Sequence, residues 1–258
     1  MAKIYCVFNQ KGGVGKTATT TNLGAGIAKL GKKVLVVDAD SQGNLTTGLN
    51  IKADRGVHTL YDVLCGQLDV QRAVFPTAYT NLMLIPANAR LAGAEIELVG
   101  VPQRELVLKK NLSSLRDSFD YIFIDCPPSL GLISINSLAA SDGIIVPIQC
   151  EYYALEGVSN LINTINLVKR GLNPSLDIVG IVLTMYDSRT NLSLQVAAEV
   201  KRYFREKVFN TIIPRNVKIA ESPSFGKPVI YYDESSSGAK AYMSLAQELL
   251  EGERAYET

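Results

Sequence analysis

Residues 10–17 read Gln10-Lys11-Gly12-Gly13-Val14-Gly15-Lys16-Thr17 and follow directly on an apolar run, Ile4-Tyr5-Cys6-Val7-Phe8. A strand that enters a glycine-rich turn ending in Lys-Thr is a phosphate cradle. The glycines let the backbone wrap until successive N–H groups point inward at an anion. Lys16 then neutralises the β/γ-phosphates, and the Thr17 hydroxyl ligates Mg²⁺. The cradle is expected to comprise Lys11, Gly12, Gly13, Val14, Gly15, Lys16, Thr17 and Ala18. A helix expected over 16–30 starts at this turn and turns its positive dipole end to the same phosphates. The general pattern G-x-x-x-x-G-K-[ST] would put glycine at position 10. This chain has Gln10 there and carries a second lysine, Lys11, inside the loop.

Acidic residues close two further apolar runs. One ends Val37-Asp38-Ala39-Asp40-Ser41-Gln42-Gly43-Asn44, the other Ile124-Asp125-Cys126-Pro127-Pro128. A carboxylate at a strand end beside a phosphate loop is placed to hold Mg²⁺, directly or through water. Asp125 is expected to do so. Asp38 and Asp40 are two apart in extended chain and therefore point the same way. Asp38 is expected to support the Mg²⁺ shell, and Asp40, farther out, to orient the attacking water. A single strand-end Asp is commonly a helix cap or turn former. Three of them around one phosphate loop favour the chemical role.

Positioning these groups is the work of a strand–helix alternation. Apolar β-rich runs recur at 3–8, 33–38, 81–86, 121–125, 143–148, 177–184 and 208–213, with helical patterns at 16–30, 104–117, 132–140, 155–170, 192–207 and 237–251. Runs apolar at every residue, such as Val34-Leu35-Val36-Val37, imply strands covered on both faces, hence a parallel sheet. The expected fold is α/β and doubly wound, a mostly parallel sheet flanked by helices of the P-loop nucleotidase type, as a single domain over 1–258. Ligands of such sheets sit at the carboxyl ends of the strands.

Composition removes other chemistries. Apolar residues make up 47% of the 258, ample for a core, and the net charge of +1 excludes a globally basic nucleic-acid binder while allowing a local basic face. His58 is the only histidine, so zinc or histidine-based hydrolase chemistry is disfavoured; it is expected to cap or flank a helix near Leu60–Leu64. Cys6, Cys65, Cys126 and Cys150 form no C-x-x-C pair and read as reduced thiols of a cytosolic protein. The sequence opens on a strand-like run, so no signal peptide is expected, and no run of 18 apolar residues appears.

On these residues the chain resembles the ParA/Soj chromosome- and plasmid-partitioning ATPases. They belong to a wider group, including MinD, that shares the deviant Lys-Gly-Gly-x-Gly-Lys-Thr loop. The matching runs are Asn9–Thr17, Asp38–Asn44, Asp125–Ser129, Gln149–Gly157, Leu183–Tyr186, Ile213–Asn216 and Pro223–Pro228. The Asp38–Asn44 and Ile213–Asn216 runs are the more specific to partition proteins. The resemblance implies ATP and Mg²⁺ as cofactors and slow ATP hydrolysis. It also implies an ATP-dependent homodimer in which Lys11 reaches the partner's phosphates, as an arginine finger does. By the same resemblance Met185, Pro214, Arg215 and Asn216 pack around adenine, and Glu151 lies near the dimer face.

The family's dimer binds DNA without sequence preference. The relevant stretch here, 189–218, has seven basic against two acidic residues, a local excess of +5. Arg189, Lys201, Arg202, Arg205 and Lys218 are the expected phosphate contacts, with Lys201 and Arg205 on one helix face. Lys218 stands where the family pattern would have Arg, which keeps charge but loses forked contact, and Ala18 stands where a hydroxyl could add a phosphate contact. Further expectations are a ParB-type centromere-binding activator and a cytoplasmic, nucleoid-associated location. The alternative is a MinD-like or other cargo-positioning ATPase. Against a membrane-bound switch stands the end of the chain, where Glu248, Glu251, Glu253 and Glu257 outnumber Arg254. An iron–sulfur protein of the same group would need a second cysteine in the context of Cys126.

Overall fold

β-branched and aromatic runs too short for helices pair here into one eight-stranded sheet. The computed structural model describes residues 1–54, 56–151 and 156–257. Its strands are β1 (Lys3–Val7), β2 (Val34–Asp38), β3 (Phe75–Pro76), β4 (Leu82–Ile85), β5 (Tyr121–Asp125), β6 (Gly143–Gln149), β7 (Asp177–Tyr186) and β8 (Val208–Pro214). They lie in the order β3-β4-β2-β5-β1-β6-β7-β8. All neighbours are parallel except β3 and β4, which pair antiparallel at the edge. The expected doubly wound α/β architecture is therefore present. β3 has no counterpart among the expected strands.

Both faces of the sheet are dry. Leu35 and Val37 pack into one core layer, Val34 and Val36 into the other, and all four are fully buried. Each such side chain contributes about 1.5–3 kcal/mol by leaving water. The covering helices are α1 (Lys16–Lys29), α2 (Asn44–Gly48), α3 (Leu60–Leu64), α4 (Leu91–Glu97), α5 (Val107–Ser113), α6 (Leu132–Ala140), α7 (Glu156–Gly171), α8 (Asn191–Phe204), α9 (Val217–Glu221), α10 (Val229–Tyr232) and α11 (Ser237–Glu257). Thr59, not His58, caps α3: its hydroxyl and Asp62 close a reciprocal capping box.

α1 and α11 cross closely because Gly26 has no side chain; a Cβ there would lie 3.1 Å from Ala246 Cβ. The far end of α11 is tied to the sheet. Glu253, buried, accepts the hydroxyls of Tyr5 and Tyr121 and pairs with Lys3 Nζ at 3.3 Å. Burial, reinforced by the Glu253 carboxylate, pushes the Tyr5 phenol far above its ordinary range. Glu248 of the same helix accepts the backbone N–H groups of Asn210 and Thr211 at 2.6 and 2.9 Å. Two of the acids that make the chain's end anionic thus serve the fold itself.

One expectation fails at α8. The helix stops at Phe204, and Arg205 takes a left-handed φ of 51° before a short 3₁₀ turn over Arg205–Lys207. Phe204 is driven into the core, and the chain must turn there to enter β8. Lys201 and Arg205 therefore do not form an i, i+4 pair on one helix face.

Candidate nucleotide and magnesium site

β1 lies between β5 and β6 at the centre of the sheet, and the loop after it crosses the carboxyl ends of the strands. Side chains from around the loop hold it in place. Asn9 Nδ2 donates to Pro147 O at 2.8 Å, and Asn9 Oδ1 accepts Lys11 N–H at 3.0 Å. Gln10 Nε2 donates to Thr164 Oγ1 and Thr184 Oγ1 to Val14 O, each at 2.8 Å. Gln10, standing in the place of a glycine, is thus an anchor to α7. Gly13 and Gly15 take left-handed φ values of 74° and 91°, which bends the loop so that α1 can begin at Lys16.

The two loop lysines are placed differently. Lys16 is buried, and its Nζ donates back to Lys11 O at 3.0 Å, within its own loop. Burial lowers its pKa, against the raising pull of Asp125, Cys126 and Asp40. An anion in the cradle would restore the charge balance there. Lys11 is only half-buried, and among the described residues its Nζ has no hydrogen bond or ion pair.

Asp125 and Asp38 face each other across the β2–β5 ladder. Asp125 is buried; its Oδ1 accepts Thr20 Oγ1 at 3.3 Å, and its Oδ2 has no partner. Burial first, then the Asp38 carboxylate, pushes Asp125 up to about 8, against the lowering effect of the Thr17 hydroxyl and Lys16. A buried carboxylate oxygen without a donor beside Thr17 is a place for a cation. No cluster of three His, Cys, Asp or Glu exists among the described residues. The residues accordingly fit Mg²⁺ held jointly with phosphate oxygens and water, not an all-protein cage.

Asp38, expected to support the Mg²⁺ shell, is held by the protein itself. It is fully buried, and its oxygens are spent on the protein's own donors. Oδ2 accepts Thr46 N–H at 2.8 Å and Thr46 Oγ1 at 2.6 Å, and Oδ1 accepts Asp40 N–H at 3.2 Å. Burial raises it to about 6 even though those bonds lower it. Strand β2 ends at Asp38, so the two-residue alternation that would aim Asp40 alike does not continue. Asp125 keeps an unpartnered oxygen beside Thr17, while Asp38, opposite it across the ladder, has both oxygens engaged. Asp40 stays half-exposed, with Oδ1 accepting Gln42 N–H at 3.0 Å.

Beside the cradle opens a cavity of about 630 Å³. Gly15, Thr17, Ala18, Met185, Pro214, Arg215 and Asn216, all expected from the sequence, line it together. Met185 reaches it through a left-handed φ of 51° where the β7–β8 register slips. The Asn216 side chain caps α9 by accepting Lys218 N–H at 2.8 Å and donates to Ser237 Oγ at 2.8 Å. Asn22, Asn44, Thr47, Pro223 and Lys227 also line the cavity and were not expected. For Pro223 and Lys227 a signal existed, since both fall in the Pro223–Pro228 run. Arg215 pairs with Glu151 at 3.0 Å; of the run after Gln149, residues 152–155 lie outside the described residues.

The basic stretch is divided. Arg189 forks onto Asp187 at 2.7 and 2.8 Å, and Lys218 pairs with Glu221 at 3.0 Å. Lys207 and Arg215 also have acid partners, Asp177 and Glu151. The acids come from outside the stretch, which is why the local excess of charge overstates the field. Lys201, Arg202 and Arg205 are exposed and have no ion-pair partner among the described residues. They sit at the far end of α8, whose 14 residues span about 21 Å. Arg189 precedes that helix, so the five expected contacts do not form one patch.

Comparison with known proteins agrees with this geometry. Residues 2–178 match a family described as an AAA domain. Over 249 residues the chain is 55% identical to the sporulation initiation inhibitor protein Soj of Bacillus subtilis, covering 96% of this chain and 98% of that protein. It is 50% identical over 250 residues to the chromosome partitioning protein ParA of Myxococcus xanthus, covering 97% and 88%. The crystal structure of a cobyrinic acid a,c-diamide synthase from Mycobacterium smegmatis with bound ADP and magnesium superposes with a TM-score of 0.85 at 38% identity, covering 97% of this chain and 94% of that one. With a phosphate cradle at the centre of a parallel sheet and sequence identity along nearly its whole length, the chain belongs to the Soj/ParA family of chromosome-partitioning P-loop ATPases.

Proposed function

We propose that the chain is an ATP-driven switch for moving DNA. ATP binding closes two copies face to face, and the closed dimer binds DNA without sequence preference. A ParB-type centromere-binding partner stimulates a slow intrinsic hydrolysis, in a cytoplasmic, nucleoid-associated cycle. The observation that carries this reading is the contrast between the two loop lysines. Lys16 is turned into its own cradle, whereas Lys11 is half-exposed and unengaged among the described residues. A spare cation at the rim of a phosphate site suits a triphosphate arriving on a second subunit.

Within one subunit, the cradle's N–H groups and Lys16 bind and orient the phosphates. Met185 and Pro214–Asn216 supply the wall for the base. Thr17 and Asp125 would hold Mg²⁺, which when bound neutralises charge on the β/γ-phosphates. Asp40, at the open rim, orients the water. Lys201, Arg202 and Arg205 offer unpaired charge to a phosphate backbone, and Arg189 and Lys218 do so on release of their acid partners.

The test is DNA binding by the purified chain with ATP, ADP or neither, across a salt series. ATP-dependent affinity that falls with salt, and whose slope flattens in Arg189→Ala/Lys218→Ala, is expected. Equal affinity in all three nucleotide states would refute the switch. An unchanged slope in the double variant would move the DNA surface away from those two residues.

A further inference from the structure

Thr46, eight residues beyond Asp38, is buried, and its hydroxyl and backbone N–H are both engaged. Its hydroxyl donates to Asp38 Oδ2 at 2.6 Å and accepts Ala87 N–H at 2.9 Å. Its backbone N–H donates to the same Oδ2 at 2.8 Å. The other oxygen of that carboxylate accepts the backbone N–H of Asp40 at 3.2 Å. A continuous relay therefore runs from Ala87, after β4, through Thr46 and Asp38 to Asp40. Gly43 presses the same loop from the other side: its φ is 64°, and a Cβ there would stand 3.0 Å from Ala87 O. The second half of the loop, from Gly43 to Thr46, is thus held against Ala87, just after β4. Asn44, which lines the nucleotide cavity, is clamped with it.

The geometry points to Thr46, acting through Asp38, as a positioning residue for Asp40. This rests on the reading of Asp40 as the group that orients the attacking water. Both oxygens of Asp38 are engaged by the protein's own donors. Its two oxygens act as a clip whose one jaw is closed by Thr46 and whose other jaw fixes the Asp40 backbone. Loosening the first jaw lets Asp40 drift, and a drift of the order of an ångström is enough to slow a step that depends on placing a water. The cradle and most of the cavity wall belong to the β1 loop, α1, β7, β8 and α9, so nucleotide binding survives the drift. A threonine that merely satisfied the interior would show a different signature: it would lower stability and binding together.

The experiment compares Thr46→Val, Thr46→Ser and Asp40→Ala in steady-state Mg²⁺-ATP hydrolysis by the full chain, with thermal melts and analogue-driven dimerisation measured alongside. Thr46→Val keeps the shape and removes the hydroxyl. Its kcat is expected to fall about tenfold or more with KM changed less than about threefold. Dimerisation should persist. Thr46→Ser, which restores the hydroxyl, should recover most of the lost rate. If Asp40→Ala stops turnover while Thr46→Val retains full kcat, the relay has no positioning role and the reading of Asp40 stands. If Thr46→Val loses nucleotide binding and melting temperature together with kcat, or Ser fails to recover the rate, the residue is structural and the inference is overturned. If Asp40→Ala turns over normally, the reading on which the inference rests fails first, and the inference with it.

Discussion

Gly12→Val separates the chemistry of one subunit from that of two. Gly12 is exposed, its φ lies outside the left-handed region, and a Cβ added there meets only Pro128 Cβ at an ordinary 3.9 Å. Valine at that position costs the folded subunit little: the change in stability should stay within about 1 kcal/mol, surface substitutions and the loss of glycine's freedom each being worth less than that. Gly13 is the internal control, because its φ of 74° makes any side chain there cost about 1–2 kcal/mol. A face-to-face dimer brings two copies of position 12 to a two-fold interface. Overpacking costs about 1–3 kcal/mol for each copy, about 2–6 kcal/mol in all, and weakens the dimer by roughly 30-fold to 10⁴-fold. Size-exclusion chromatography with light scattering, using a non-hydrolysable ATP analogue, reads the dimer; equilibrium titration with a fluorescent nucleotide reads the cradle. The expected variant binds nucleotide normally and remains monomeric. A normal dimer would show that no second backbone approaches this loop. Lost nucleotide affinity would show that Gly12 serves its own cradle and not the partner.

Two further outcomes test the site and the fold. Burial raises Asp125 from 3.8 to about 8 and Asp38 from 3.8 to about 6, so between those limits the folded chain binds protons that the unfolded chain has released. Stability of the nucleotide-free chain should accordingly fall as pH rises through that window. Asp125→Asn should flatten the upper part, and thermal melts from pH 5 to 8.5 that show no slope would refute the assignment. Glu253→Ala withdraws the acceptor shared by the Tyr5 and Tyr121 hydroxyls. A loss of about 1–3 kcal/mol in urea unfolding is expected with nucleotide binding intact, and a loss below about 0.5 kcal/mol would mean that the clasp contributes nothing.

What the amino-acid order made legible was whatever depends on short stretches. Apolar runs such as Val34–Val37 declare a strand dry on both faces, and the loop at 10–17 declares its anion. The strand order does not show in any one run, since it is set by how crossovers pack. Edge strand β3 has two residues, and α2 and α4 have five and seven, too short for periodicity to register. Asp40 does not point with Asp38, because alternation describes a strand only while the strand lasts and β2 ends at Asp38. Thr46, the partner of Asp38, is one of a Thr-Thr pair in a five-residue helix too short for periodicity to register. Arg205 was misplaced for a related reason: helical spacing persists in the letters past Phe204, where the core side chain and the entry to β8 end the helix. The acids that offset Arg189, Lys207, Arg215 and Lys218 lie two to 64 residues away along the chain, and only the folded arrangement brings the distant ones close.

The span of α8 gives the molecule two poles. One is the strand-exit rim, with the cradle, the cavity and Lys11; the other is the far end of α8, where Lys201, Arg202 and Arg205 are exposed and have no ion-pair partner among the described residues. On the proposed reading DNA meets Lys201, Arg202 and Arg205 at the second pole, and Arg189 and Lys218, once released from their acids, nearer the first. On that reading the packed body of α8 links the two groups of basic side chains.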